Sequence, residues 1–222
     1  MLLVNLSTSM WGRSASATGR PKLQRALAKI SEVLKGLSLG PDRDLAVMGY
    51  GRRDDGRDEV ITLLRTTTSE YPWISTKRLR DLVDVGGINH CLIDLPGKSQ
   101  YPSASLGAAL DEARPRILNS ITARPRDPAP LILHFTDADH LDSNDARQAR
   151  SLMLLRSEQG NARMAHSMFH PDRPSGLCGE VSEADWPGYL GAASILPAGD
   201  GEESSPALAC NALPLGLLRR AL

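Results

Sequence analysis

Aromatic side chains are scarce in this chain of 222 residues: they fill 4% of positions, and only two are Phe. A core built from it must therefore be packed mainly by aliphatic groups. Cysteine is scarce too. Cys91, Cys178 and Cys210 are odd in number and scattered, and none stand in Cys-x-x-Cys spacing. That argues against a zinc ribbon and a redox dithiol, and for plain thiols in a reducing compartment. Neither sign of charge is in excess, with 26 Lys and Arg against 26 Asp and Glu. Such a balance gives no bulk electrostatic reason to seek nucleic acid or an anionic membrane, and neither is expected as a partner. The first residues lack a basic stretch ahead of a long apolar segment, and no apolar run reaches transmembrane length. The expectation is a cytoplasmic protein without a signal peptide. Arg greatly outnumbers Lys, which reads as the codon bias of a GC-rich genome. Internal repeats are absent.

What is there begins at residue 2. Leu2-Leu3-Val4 runs directly into Asn5-Leu6-Ser7-Thr8-Ser9, a buried strand ending in a polar loop at its carboxyl end. Ligands of open α/β sheets bind at such ends. Pro21 stands where a helix begins, and Leu23, Leu27, Ile30, Leu34 and Leu37 repeat at helical spacing. Gly36, Gly40 and Pro41 should end that helix. Leu45 to Tyr50 and Glu59 to Leu64 read as strands of a hairpin, joined through Asp54-Asp55-Gly56. Ser75 caps a short helix through Val83, stopped by Gly86-Gly87. Leu106, Ala109, Leu110, Ala113 and Ile117 mark another helix, which Pro115 should kink or shorten. Leu131 to Phe135 reads as a central buried strand, Asn144 to Gln159 as a helix capped by Ser143 and closed by Gly160, and Met164 to Phe169 as a strand. The piece from Ala207 reads as helix interrupted by Pro214.

The alternation of strand and helix predicts an α/β fold: a doubly wound, mostly parallel sheet with one antiparallel edge strand and helices on both faces. Residues 1–170 form the domain, and 171–222 are a C-terminal extension packed on it. A chain this long buries roughly 70% of its unfolded surface, enough for a sizeable core.

Three segments carry a family resemblance. Asn5-Leu6-Ser7-Thr8-Ser9, after its leading strand, resembles the Asp-x-Ser-x-Ser loop of von Willebrand factor A-like (vWA) domains. Ser103-Ala104-Ser105-Leu106-Gly107-Ala108-Ala109-Leu110 resembles the family's Thr-x-x-Gly-x-Ala-Leu segment. Phe135-Thr136-Asp137-Ala138 resembles its strand ending in Thr-Asp-Gly. The resemblance covers the chain from Met1 to about Phe169. It implies a degenerate metal-ion-dependent adhesion site, in which Mg²⁺ or Mn²⁺ is held by Ser7, Ser9 and a hydroxyl of Ser103 or Ser105. Asp137 would contact the ion through water, with Asp139 nearby and a partner carboxylate completing the shell. Two positions depart from the pattern: the leading Asp is Asn5, and the Thr falls on Ala104. Mg²⁺ favours carboxylate ligands, so the amide predicts weak or absent metal binding. Asn5, Ser7 and Ser9 equally suit a purely local role, capping the next turn by hydrogen bonds.

Other candidates are weaker. Gly97-Lys98-Ser99 lacks the leading Gly of a phosphate loop, since Leu92 stands there. His134 and Asp137 would point to opposite faces of a strand, so joint zinc ligation is not expected, and His134 reads as a core histidine. His166 and His170 lie on a strand, where no helical face aligns them. Ser–His–Asp chemistry needs a Ser on a sharp strand-to-helix elbow, and none is read here. Trp11, beside the first loop, is the best aromatic anchor for a partner.

Three functions are weighed. The first is a non-enzymatic adaptor that binds another protein through Asn5, Ser7, Ser9, Trp11, Ser103, Ser105, Asp137 and Asp139. The resemblance implies bacterial settings of this kind, beside an ATPase or in stress or defence systems. The second is Mg-dependent binding of a partner carboxylate. The third, well behind, is a hydrolase using Asp137 and Asp139 as acid or base.

Overall fold

The structure, a computed structural model, describes residues 1–12, 21–39, 42–65, 67, 71–86, 91–92, 95, 100–137 and 141–169. Beyond these it describes 176–177, 189, 193, 195–196, 205–206 and 208–210. The expectations for Gly40, Pro41, Gly87, Gly97-Lys98-Ser99, Asp139, His170 and Cys178 lie outside the described residues. The chain divides into two compact units, Met1–Ala104 and Ser105–Leu222.

In the first unit the opening strand β1 (Leu2–Asn5) is buried at every residue. Burial on both faces explains its continuous apolar run, as is usual for parallel strands. Helix α1 (Lys22–Ser38) follows, with Pro21 at its N-cap. Its buried stripe is Leu23, Ala26, Ile30, Val33 and Leu34, a helical period that leaves Leu27 and Leu37 at the edges, half-buried. Gly36 does not end α1. It lies in the last turn on the exposed side, and the helix closes at Ser38.

Strand β2 (Val47–Arg52) pairs parallel with β1, Leu2 opposite Val47 and Asn5 opposite Tyr50. The expected strand start at Leu45 is a separate piece: Asp44–Leu45 turns away to pair antiparallel with Ile74–Ser75. Strand β3 (Asp58–Thr62) returns antiparallel on β2, forming the expected hairpin. Its turn needs Gly56, whose φ is +82°. Helix α2 (Thr76–Gly86) is capped by Ser75, whose Oγ accepts from the Arg78 amide at 3.1 Å.

The second unit opens with helix α3 (Leu106–Ala123). Pro115 does not shorten it. The proline and Asp111, whose carbonyl loses its intrahelical partner, both lie on the exposed side, so water can satisfy the vacated acceptor. Strand β4 (Leu131–Thr136) comes next. Helix α4 (Ser143–Met153) is capped by Asp142, not Ser143: the Asp142 carboxylate accepts from the Asp145 amide at 2.7 Å. It also ends well before Gln159. Leu154 is 75% exposed, the apolar period fails there, and a tight hairpin takes over, with Arg156–Ser157 pairing Gly160–Asn161. Gly160 has φ +131°.

Strand β5 (Arg163–Met168) pairs parallel with β4, Leu131 opposite Arg163 and Thr136 opposite Met168. Strand β6 (Leu208–Cys210) pairs parallel with β5, and Gly176–Leu177 runs antiparallel on β6. Residues 208–210, expected as helix, are therefore strand, and part of the C-terminal stretch extends the second unit's sheet. The strands Ile195–Leu196 and Ser205–Pro206 also pair, antiparallel.

Helices α3 and α4 run parallel, joined by rungs at regular spacing. The Gly107 amide donates to Asp145 Oδ1 at 2.6 Å, Gln148 Nε2 to Asp111 Oδ2 at 2.8 Å, and Arg114 Nη1 to the Ser151 hydroxyl at 2.6 Å. A Cβ at Gly107 would lie 2.2 Å from Gln148 Oε1 and 2.9 Å from Asp145 Oδ1, so a side chain there would push both of these groups aside. The fold is thus α/β, with mostly parallel strands and flanking helices. Among the described residues no helix is long and apolar enough to cross a membrane.

Packing in the first unit yields a stability test. A Cβ at Gly51 would lie 2.4 Å from Tyr101 Cγ, inside a fully packed ring contact. Gly51→Ala should cost about 1–3 kcal/mol by overpacking, read as a lower urea midpoint at unchanged m-value. A wild-type midpoint would show that Tyr101 is free to move.

Candidate functional site

The loop after β1 is assembled from short polar side chains at the end of a buried strand. Asn5 is 5% exposed, and its Oδ1 accepts from the Ser7 amide at 2.8 Å. This Asx-type bond folds the backbone sharply at Ser7. Ser7 is itself buried, and its Oγ lies 2.9 Å from that of Ser9, which is exposed. A 3₁₀ turn, Thr8–Trp11, then drops Met10 into the core and leaves Trp11 half-buried.

A second segment holds this loop from the side. The Tyr101 carbonyl accepts from the Thr8 amide at 2.7 Å and from the Thr8 hydroxyl at 2.9 Å. Two residues on, the Ser103 carbonyl accepts from the Arg52 amide at 2.8 Å, at the carboxyl end of β2. Since β1 and β2 are parallel, the Ser7–Ser9 loop and exposed Ser103 lie at the same end of the strand pair. Ala104, where the resemblance placed a Thr, is half-buried.

Sequence reasoning missed Tyr101. Its ring is 2% exposed and its hydroxyl donates to Glu59 Oε2 at 2.6 Å. Arg53 grips the same carboxylate with two bonds of 2.8 Å. That guanidinium holds Glu59 below the usual carboxylate range, while burial pushes the Tyr101 phenol up. Tyr101 thus ties the hairpin tip to the loop after β1. The one signal in the sequence was Gly51 itself, since a glycine inside a strand often marks the close approach of another group; that the group is Tyr101 only the fold decides.

Ser105, Asp137 and Asp139 belong to the second unit. Ser105 is the N-cap of α3, its Oγ accepting from the Ala108 amide at 3.4 Å. Asp137 follows β4 at its carboxyl end and is half-buried, while Asp139 lies outside the described residues. The stretch Gly36 to Gly40 has Gly-x-Ser-x-Gly spacing, which the sequence reading passed over. Ser38 closes α1, buried, with its hydroxyl donating to the Lys35 carbonyl at 2.9 Å. It stands on no strand-to-helix elbow, so it offers no exposed nucleophile.

The adhesion-site metal can be tested on the first unit's donors. The Ser7 and Ser9 oxygens are 2.9 Å apart. That matches the edge of a Mg²⁺ octahedron, about 2.9 Å for bonds of about 2.05 Å. It is also an ordinary hydroxyl–hydroxyl hydrogen bond. The donors are two hydroxyls and an amide oxygen that already serves the Ser7 amide. None carries charge, so these donors alone do not fit a divalent cation. Among the described residues no group of three or more His, Cys, Asp or Glu is placed to hold a metal.

No protein-family model matches this chain, and no curated protein matches it. Solved structures are similar at a distance. The conserved hypothetical protein BatB from Bacteroides thetaiotaomicron aligns over 76% of this chain at 13% identity, with a TM-score of 0.45. The aligned part spans 64% of that protein's chain. An aerotolerance-related membrane protein from Bacteroides fragilis aligns over 80% at 15% identity, covering 69% of its own chain, with a TM-score of 0.42.

Tyr101→Phe removes one hydrogen bond to a carboxylate without removing the ring. It should cost about 1.5 kcal/mol at pH 7, measured by urea unfolding. Because Glu59 titrates lower in the folded state, its contribution is full above the usual Glu range and is lost as pH falls through the folded value. The deficit of the variant should therefore shrink in acid; a constant deficit would mean that the charge on Glu59 is irrelevant.

Proposed function

We propose that this chain is a non-enzymatic protein-interaction module of the vWA-like kind. Its docking surface is the loop at the carboxyl end of β1, where Ser9 and Trp11 reach the surface and the buried Ser7 hydroxyl orients that of Ser9, joined by Ser103 from the neighbouring segment. The observation that carries the reading is the anchoring of that loop. Asn5, Thr8 and Tyr101 hold it in one conformation, while the exposed Ser9 and half-buried Trp11 remain at its surface. A pre-organised loop with hydroxyls and an aromatic edge can bind a partner without the cost of ordering. The Ser7 hydroxyl is bonded to the Ser9 hydroxyl, which is not a base, and this favours binding over nucleophilic catalysis. In the second unit, Asp137 at the carboxyl end of β4 is a further candidate contact, as is Asp139.

The partner is another protein, and the interaction is metal-independent in this reading. Affinity capture from the source cells should recover a partner with the wild-type chain, in the presence of a chelator as in its absence. Ser7→Ala/Ser9→Ala and Trp11→Ala should each lose it by tenfold or more. Equal capture by both variants would move the docking surface elsewhere.

The 2.9 Å separation of the two hydroxyl oxygens is also compatible with a second reading, in which Mg²⁺ bridges the loop to a partner carboxylate that supplies the charge these donors lack. Titration calorimetry decides between them. Wild type should give no heat with Mg²⁺, and Asn5→Asp, which restores a carboxylate, should gain measurable affinity. Heat from wild type, together with chelator-sensitive capture, would replace the first reading with the second.

A further inference from the structure

Strand β2 carries two glycines on one face, Gly49 and Gly51, and the alternation of the strand brings Arg53 to that face just beyond its end. A Cβ at Gly49 would collide with Leu6 Cδ1, and one at Gly51 with the Tyr101 ring. Leu6 belongs to the loop after β1, and Tyr101 to the segment that flanks it. The bare backbone of β2 is therefore a seat for two side chains from two separate segments. In the antiparallel register of the hairpin, Glu59 stands opposite Gly51. A ring laid over Gly51 thus ends beside the Glu59 carboxylate, and the phenol donates to Glu59 Oε2 at 2.6 Å.

Residues 100–103 are bonded on both sides of this seat. On the loop side, the Tyr101 carbonyl accepts from the Thr8 amide at 2.7 Å and from the Thr8 hydroxyl at 2.9 Å. On the hairpin side, the Ser103 carbonyl accepts from the Arg52 amide at 2.8 Å. Arg53 donates to both oxygens of Glu59, from Nε and Nη2, at 2.8 Å each. A two-pronged guanidinium contact fixes the rotation of a carboxylate. The acceptor of the phenol is thereby held where the seated ring needs it.

We propose that residues 100–103 are a strap that keeps the docking loop in order, and that Arg53 and Glu59 are positioning residues that act on Thr8 through Tyr101. The docking role of the loop rests on the reading above; the strap itself does not. The route is short and continuous: guanidinium, carboxylate, phenol, ring, backbone carbonyl, Thr8 amide. Without the bond to the carboxylate the ring is seated by packing alone, and the Tyr101 carbonyl leaves Thr8 more often. The fraction of time the loop spends in its anchored conformation scales the affinity of any partner that binds that conformation.

Amide hydrogen exchange of the whole chain, followed residue by residue by NMR, tests the strap. Tyr101→Phe keeps the ring and should raise the exchange rate of the Thr8 amide about tenfold. Glu59→Ala should do the same. Glu59→Gln, whose side-chain oxygen still accepts from the phenol, should restore most of the protection. The control is Ile30→Val in the buried stripe of α1, which lowers the stability of the unit from elsewhere and should leave the Thr8 rate unchanged. If Ile30→Val raises that rate as much as Tyr101→Phe does, the amide opens only with the whole unit and the strap is overturned. A wild-type rate at Thr8 in Tyr101→Phe or in Glu59→Ala overturns it as well. No partner is needed for these measurements, so failure of the docking surface in affinity capture and failure of the strap are separate results.

Discussion

A polar backbone that leaves a buried strand must find partners at once, and this requirement shapes the first unit. All four residues of β1 are buried, as are Leu6 and Ser7 that follow, so the chain leaves the strand with amides that need partners. The Leu6 amide goes to the Tyr50 carbonyl, the Ser7 amide to the Asn5 side chain and the Thr8 amide to the Tyr101 carbonyl. Each such group left unmet would cost about 1–3 kcal/mol. The loop is therefore positioned by hydrogen-bond satisfaction, and the surface it offers is a by-product of that positioning. Asn5 does locally what an amide does well: it accepts from a backbone N–H two residues on and tightens the turn.

The same requirement is met differently in the second unit. There the buried polar side chains of β4 and β5 include two imidazoles, and the parallel register lets them serve each other. Where the helices of that unit approach most closely, polar groups again do the joining. The Gly107 amide, free at the start of α3, is taken by the Asp145 carboxylate of the neighbouring helix, a favourable charge for a helix N-terminus. Glycine is what lets that carboxylate and Gln148 come so near.

Much of this could be read from residue pattern. The buried run Leu2 to Val4, the stripe of α1, the hairpin around Gly56 and the Ser75 cap all express local physics: burial, helical period, a positive φ and one side-chain bond. The misreadings share a cause. Ser143 and Asp142 are both good caps, and only the helix's packing direction chooses between neighbours. Gly36 and Pro115 are breakers by propensity, but both lie on the exposed side of helices held by a packed face, so tertiary contacts outweigh a cost of about 1–3 kcal/mol. Leu154 to Gln159 has helix-compatible residues but lacks an apolar face to bury, and it becomes a hairpin instead.

By itself the sequence determined the α/β class, the polar loop that follows β1 and the aliphatic character of the core. Those properties depend on residues close together in the chain, where periodicity and short-range hydrogen bonding act. Tertiary structure alone decided that Tyr101 would clamp Thr8 and reach Glu59, and that His134 would meet His166. Both contacts join segments far apart in sequence, and the second depends on strand register. A shift of one residue in that register would turn one of the two histidines to the opposite face of the sheet.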